Sequence, residues 1–205
     1  HAILHRAYHG LPDFSSSKGE PTGALYGLSM MILKVLEDVN PDYMVACYDL
    51  PGPTHRHDEY EDYKAGRKET EEALREQITR SRDVLDAFSI PHYEVPGFEA
   101  DDLLGTIAED LKSEKDISII IASGDMDTLQ LVDGTRVQVY TLKKGIKDTV
   151  LYDEAGVRDR FGFAPERLPD YKGLRGDPSD KIPGIRGIGE KTATTLLTSL
   201  GGLDE

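Results

Sequence analysis

The chain has no tryptophan, a single cysteine in 205 residues, and no apolar run long enough to cross a bilayer. One cysteine excludes a disulfide framework and fits a reducing compartment. Cys47 lies in an apolar run and reads as core. The lack of a signal peptide and of any membrane-length run leads to the expectation of a soluble cytoplasmic protein with no membrane partner. Cations are in short supply: 24 Lys and Arg stand against 38 Asp and Glu, a formal charge of -14. That balance at first argues against a nucleic-acid partner. The argument weakens where many acids point into one cleft, because net charge then says little about the surface around it. No Ser/His/Asp or Cys/His set suited to nucleophilic catalysis emerges. The length suits one medium domain, or one domain with a small appendage, and is enough for a real core.

The acids are concentrated in one stretch, Phe98 to Leu131, which holds Glu99, Asp101, Asp102, Asp125 and Asp127. Asp116 to Ala122 reads as a buried strand, β-branched and nearly uncharged. Ser123-Gly124-Asp125-Met126-Asp127 follows it, at the carboxyl end where parallel sheets place ligand sites. Leu103, Leu104, Ile107, Ala108 and Leu111 mark one helix face, so Glu99 to Asp102 form that helix's entry, where the dipole favours acids. An N-cap cluster followed by an acidic loop would explain part of this pattern. Carboxylates in such numbers repel one another unless a cation sits between them, and hard oxygen donors suit Mg²⁺ or Mn²⁺. The combined pattern favours metal.

The remaining segments place further elements. His1, His5 and His9 lack a metal-ligand pattern, and residues 1–9 read as a helix start. Leu11 to Thr22 is a loop. Ala24 to Val39 is helical, with Leu25, Leu28, Met31, Ile32, Val35 and Leu36 on one face. Tyr43 to Tyr48 is a second buried strand, followed directly by Asp49. Residues 51–82 change character, and Arg56, Tyr60, Tyr63, Lys64, Arg67 and Lys68 interleave cations with aromatics. Such a mix can grip phosphates and stack bases, but a solvated helix with i,i+4 ion pairs accounts for it at least as well. Glu71 to Phe88 is amphipathic, and His92 to Val95 is a short strand. Val137 to Leu142 and Thr149 to Tyr152 form a hairpin with Lys143-Lys144-Gly145 as its turn. Short helices follow at Asp153 to Phe161 and Pro165 to Leu174. Asp177 and Asp180 flank Pro178-Ser179 in a tight turn. Ile185 to Ala193 is a Gly-punctuated hairpin entering a helix, an arrangement that lets backbone approach phosphate.

HRAYHGLP, YDLPGPTHRHDEYEDYKAGR, PGFEADDLLGTIA, SGDMDTLQL and GLRGDPSDKIPGIRGIGEKTA, in that order, resemble the 5′-nuclease (flap endonuclease) family found at the front of bacterial DNA polymerase I and in phage 5′-exonucleases. The resemblance covers nearly the whole chain. It implies an α/β fold: a mostly parallel central sheet flanked by helices, PIN-like, in a core over 1–150. A helical arch would occupy 51–82. A helical region over 151–205 would carry a helix-hairpin-helix near 182–200. The family's first strand, ending in an Asp, would precede His1, and relatives continue past Glu205, so trimming at both ends is expected.

The same resemblance implies two or more Mg²⁺ or Mn²⁺ ions, one group held by Asp49, Glu99, Asp101 and Asp102, the other by Asp125, Asp127, Asp177 and Asp180. It implies metal-dependent hydrolysis of flapped, nicked or branched DNA, as in flap or primer removal. Lys64 and Arg67 would orient the reacting phosphate, reversing the reading of the charged stretch as a solvated helix. Arg6, Arg56, Tyr63, Gly184, Gly187, Gly189, Lys191 and Thr192 would contact DNA, with K⁺ at the hairpin. The protein would be a monomer or the front of a DNA polymerase. The rival readings are a branched-DNA-binding module that does not cut, a PIN-type ribonuclease, and a phosphatase with no use for the hairpin.

Overall fold

Apolar residues at helical spacing bring α1 (Ala2–Gly10) against α2 (Gly23–Val39) in the structure, a computed structural model that describes residues 1–12, 14–144 and 148–204. The two helices touch closely at Gly27, where a Cβ would fall 2.2 Å from the Ala7 Cβ. Along α2 the predicted face is buried from Leu25 to Val35, while Leu36 stays exposed. No side chain of α2 caps its own start. Gln77, on α4 (Glu72–Ala87), does so instead: its Oε1 accepts from Ala24 N at 2.7 Å and from Leu25 N at 3.4 Å. A buried amide satisfied in this way fixes how α2 and α4 sit together.

β1 (Ala46–Tyr48) pairs in parallel with β2 (His92–Glu94). β3 (Ile119–Ala122) pairs in parallel with β4 (Val137–Lys144), which turns back antiparallel onto β5 (Asp148–Tyr152). The strands are thus mostly parallel, as expected, but among the described residues they form two ladders. A cavity of about 1790 Å³ is lined from both, by Ala46 and Tyr48 on one ladder and Ile119 and Ile121 on the other. β1 and β3 start three residues later than the sequence indicates, β3 because Lys115 and Asp116 turn first. Lys143 and Lys144 belong to β4 and not to a turn, and Gly145 lies outside the described residues.

Over the expected arch, 51–82, the chain is helical at 55–59 and again from Glu72, where α4 starts, with turns and irregular chain between. α3 (His55–Glu59) is followed by turns over 61–66. Lys64 and Gly66 adopt φ of 55° and 72°, the left-handed region, which stops a helix from propagating. Beyond α5 (Ala100–Asp110), the C-terminal part is helical: α6 (Glu154–Phe161), α7 (Leu168–Arg175) and α8 (Glu190–Leu200). They share one core with β4, through Val139, Val157, Tyr171 and Leu197. That core anchors the acidic loop after α7 to the sheet that carries Asp125. No helix among the described residues is long and apolar enough to cross a membrane.

Candidate metal centre

Asp49 leaves the end of β1, and its Oδ1 accepts from Ala100 N at the start of α5, 2.8 Å away. Its other oxygen lies 3.0 Å from His1 Nδ1. This bond ties the end of one strand to the amino end of the helix that carries Glu99 and Asp101. Asp125 and Asp127 leave β3 in a short 3₁₀ turn, Met126–Leu131, which Asp125 caps by accepting from Asp127 N at 3.0 Å. Asp177 and Asp180 come from the loop after α7. Asp49, Glu99, Asp101, Asp125, Asp127, Asp177 and Asp180 all line the one cavity. Asp102 does not line it, which departs from its expected place among the ligands. Arg56 grips it bidentately at 2.8 and 2.6 Å, and it accepts from Glu99 N at 2.8 Å. Those bonds hold Asp102 as a helix cap and ion-pair partner.

The electrostatics are those of a crowded acid cluster. Asp127, Asp177 and Asp180 bring carboxylate oxygens within 4.8 Å of one another. Asp101 is pushed up to about 6, first by burial and then by Asp125, Asp49, Asp127 and Glu99. Burial also raises Asp127, against the pull of Lys172. Burial alone would raise Asp177, which is 5 % exposed, but hydrogen bonds from Lys172 and Ser179 outweigh it and hold the carboxyl at about 2. Those bonds are 2.6 Å from Lys172 Nζ and 2.5 and 3.0 Å from Ser179 Oγ and N. Convergent carboxylates with too little positive charge between them, one of them driven toward its neutral form, match the donor set of a hard divalent cation.

The cations that are present sit on acids. Lys64 Nζ lies 2.7 Å from both oxygens of Glu99, and Arg67 Nη2 lies 2.6 Å from Asp180 Oδ1. Lys64 N also donates to Asp180 O at 3.1 Å, so the 61–66 turns are stitched to the 177–182 loop. Tyr63 requires a correction. It is 7 % exposed and its hydroxyl donates to Glu99 and Asp180, at 3.2 and 3.3 Å, so its ring is packed inside and cannot stack on a base in this arrangement. Burial, then Glu99 and Asp180, raise its phenol. Arg6 lies half-buried on α1.

At the hairpin, Gly187 and Gly189 face open space, and Lys191 and Thr192 are exposed on the first turn of α8. Gly184 is enclosed: a Cβ there would fall 2.2 Å from Gly176 N. Sequence reasoning missed Lys172 and Ser179. The legible signal for Lys172 was a lysine near the end of a helix that runs directly into an acidic turn.

The Asp101 shift carries a pH prediction for the metal-free protein. Its folded pKa is raised, so the folded state binds the proton more tightly than the unfolded chain does. This group therefore adds stability at low pH, and that contribution is lost as pH rises from about 4 through 6. In EDTA, the stability of the wild type relative to Asp101→Asn should fall by up to about 3 kcal/mol between pH 4 and 7. Urea melts at each pH measure this, and parallel pH profiles would contradict it.

An acid-lined cavity beside the carboxyl ends of β1 and β3, with Lys64 and Arg67 over it and a glycine hairpin entering a helix, is the set of parts that the 5′-nuclease resemblance implies. The chain belongs to the 5′-3′ exonuclease family: residues 1–162 match its N-terminal resolvase-like domain and residues 163–205 its C-terminal SAM fold. It is 42 % identical to DNA polymerase I of Caldicellulosiruptor bescii over 207 residues and 41 % identical to that of Bacillus subtilis over 206, covering 100 % of this chain in both cases. It spans only 24 % and 23 % of those proteins. Its fold is that of T5 5′-exonuclease with bound zinc, at a TM-score of 0.76 and 21 % identity, over 98 % of this chain and 73 % of that one. A T5 D15 flap endonuclease in a complex with DNA and metal ions gives 0.70 at 21 % identity, over 87 % and 67 %.

Proposed function

We propose that this chain is a Mg²⁺- or Mn²⁺-dependent 5′-nuclease that cuts flapped, nicked or branched DNA, working as part of a DNA polymerase I. The observation that carries the reading is the convergence of Asp127, Asp177 and Asp180 oxygens within 4.8 Å, in the cavity that Asp49, Glu99, Asp101 and Asp125 also line. Asp125, Asp127, Asp177 and Asp180 would hold one ion, and Asp49, Glu99 and Asp101 another. Asp102 would serve by holding Arg56 in place. Divalent ions supply Lewis-acid charge for phosphodiester hydrolysis. The protein's own groups do the rest. Lys64 and Arg67, at the edge of the acids, position the reacting phosphate. Asp49, through Ala100 N, keeps α5 aligned with β1. The open backbone at Gly187 and Gly189, with Lys191 and Thr192 beside it, holds duplex phosphates without reading sequence.

The test is a duplex with a 5′ flap, labelled at each end in turn, offered with Mg²⁺ and with EDTA, the flap being DNA in one set and RNA in another. The reading expects Mg²⁺-dependent cutting near the junction of the DNA flap. Cutting of the RNA flap alone would favour a ribonuclease, and binding without cutting a non-cleaving module. Lys191→Ala should weaken duplex affinity uniformly across sequences and lower the slope of log affinity against log salt by about one, the loss of one phosphate contact. An unchanged slope would remove Lys191 from the interface.

A further inference from the structure

The ammonium of Lys172 does not point to solvent. From α7 it reaches across to Asp127 Oδ2 and lies 2.6 Å from Asp177 Oδ2. It therefore bridges two segments that no strand pairing joins, the turn after β3 and the loop after α7. Its side chain is 25 % exposed. An Mg²⁺ ion touching Asp127 and Asp177 would sit about 2.1 Å from each oxygen. The ammonium already stands in contact with both, so one seat serves either cation and not both together. Two positive charges that close repel strongly in a partly desolvated site.

Resting on the metal reading above, we propose that Lys172 is a tethered counterion, which occupies the seat between Asp127 and Asp177 when no divalent ion is bound and is displaced when one binds. Two consequences follow. Without metal, the ammonium keeps the two carboxylates from driving their segments apart, so the loop after α7 stays docked. With metal, part of the binding free energy is spent on expelling it, so the site is weaker than its carboxylates alone would make it. Lys172 acts through Asp127 and Asp177 and is thus a positioning residue. It differs from Lys64 and Arg67, which pair with Glu99 and Asp180 from the 61–66 turns and their flank and leave the Asp127–Asp177 pair untouched.

The experiment is a Mn²⁺ titration of the intact protein, read by electron paramagnetic resonance of free Mn²⁺, on wild type, Lys172→Met, Lys172→Arg and Asp177→Asn. Asp177→Asn identifies the binding step that belongs to this seat. At that step Lys172→Met should bind Mn²⁺ about tenfold more tightly than wild type, the gain expected from removing a partly buried competing ion pair. Lys172→Arg, which keeps the cation, should stay within about twofold of wild type. In EDTA the melting temperature of Lys172→Met should fall, and Mn²⁺ should restore it. Lys172→Gln, which retains an N–H donor, should give the same direction if the methionine variant folds poorly. Mn²⁺ binding that is unchanged or weaker in both Lys172→Met and Lys172→Gln would overturn the proposal. If wild type and Asp177→Asn bind Mn²⁺ alike, the metal reading of this seat falls and the counterion role falls with it. That result is separate from the first, because it appears without any change at Lys172.

Discussion

Asp125→Ala should lower cleavage of a 5′ flap by at least about a thousandfold while duplex affinity in EDTA changes by less than about twofold. The two effects separate because of where Asp125 sits. It is exposed at the carboxyl end of β3 and lines the acid cavity. Its structural bonds are local: it accepts from Asp127 N, its own N donates to Ser123 Oγ at 3.0 Å, and Thr128 Oγ1 donates to its carbonyl at 2.7 Å. The last two survive truncation of the side chain. The hairpin at 185–192 belongs to the other end of the chain, and no bond found there involves Asp125. Asp125→Asn is the companion variant. It keeps the cap on the 3₁₀ turn and removes only the charge, so it should lose nearly as much activity with a smaller effect on stability. Cleavage within about tenfold of wild type in either variant would remove Asp125 from the ion-binding set.

Gly184→Ala should destabilise the protein by about 3 to 5 kcal/mol, a size reserved for backbone collisions and core damage. Gly184 has φ of 64°, where a Cβ is strained by about 1 kcal/mol. The larger part is steric. The Cβ would stand 2.2 Å from Gly176 N and 2.4 Å from Arg175 C, and backbone cannot swing away as a side chain can. Gly176 meets the loop in return, since a Cβ there would lie 2.7 Å from Ile182 O. The two glycines close the 176–184 loop, which is further pinned by Asp177 N to Ile182 O at 2.8 Å and Ile182 N to Asp177 O at 2.9 Å. The loop carries Asp177 and Asp180, so the same substitution should also impair Mn²⁺ binding. At about 2 to 4 °C per kcal/mol for a chain of this size, the melting temperature should drop by roughly 10 °C. Gly187→Ala is the control: φ is 89° but nothing lies within 4 Å, so strain alone remains and the loss should be near 1 kcal/mol. Equal losses in the two variants would mean that the close approach at Gly184 is not felt.

These two glycines show what sequence reading reaches. Both look alike in IPGIRGIGEK, and the family resemblance implies DNA contact for both. One faces open space and suits that role, while the other is a packing position set by residues eight places earlier. Periodicity found the elements that obey it. The buried face of α2, Leu74 and Leu85 on α4, and the strands beside Asp49 and Asp125 follow from local pattern, the strands to within three residues. What depends on contacts between distant segments was not legible. Gln77 reads as an ordinary polar position on an amphipathic helix, yet it caps a helix 53 positions away. Tyr63 reads as exposed beside its charged neighbours, yet it is buried beneath Glu99 and Asp180. Asp102 reads as equivalent to Asp101, but one step around the helix turns it from the cavity to Arg56. Asp49, Asp125 and Asp127 are legible from the strands they follow and Glu99 and Asp101 from the helix they enter, whereas Asp177 and Asp180 join them only through the family resemblance. Their division of labour with Lys172 depends on a side chain crossing between segments.

The central claim, that the acid cavity is a divalent-metal centre, is tested most directly by anomalous diffraction from crystals of the protein soaked in Mn²⁺. One peak is expected among Asp127, Asp177 and Asp180, with Lys172 swung away from the pair, and another beside Asp49, Glu99 and Asp101. A cavity without anomalous density at saturating Mn²⁺, with Lys172 still bridging Asp127 and Asp177, would contradict it.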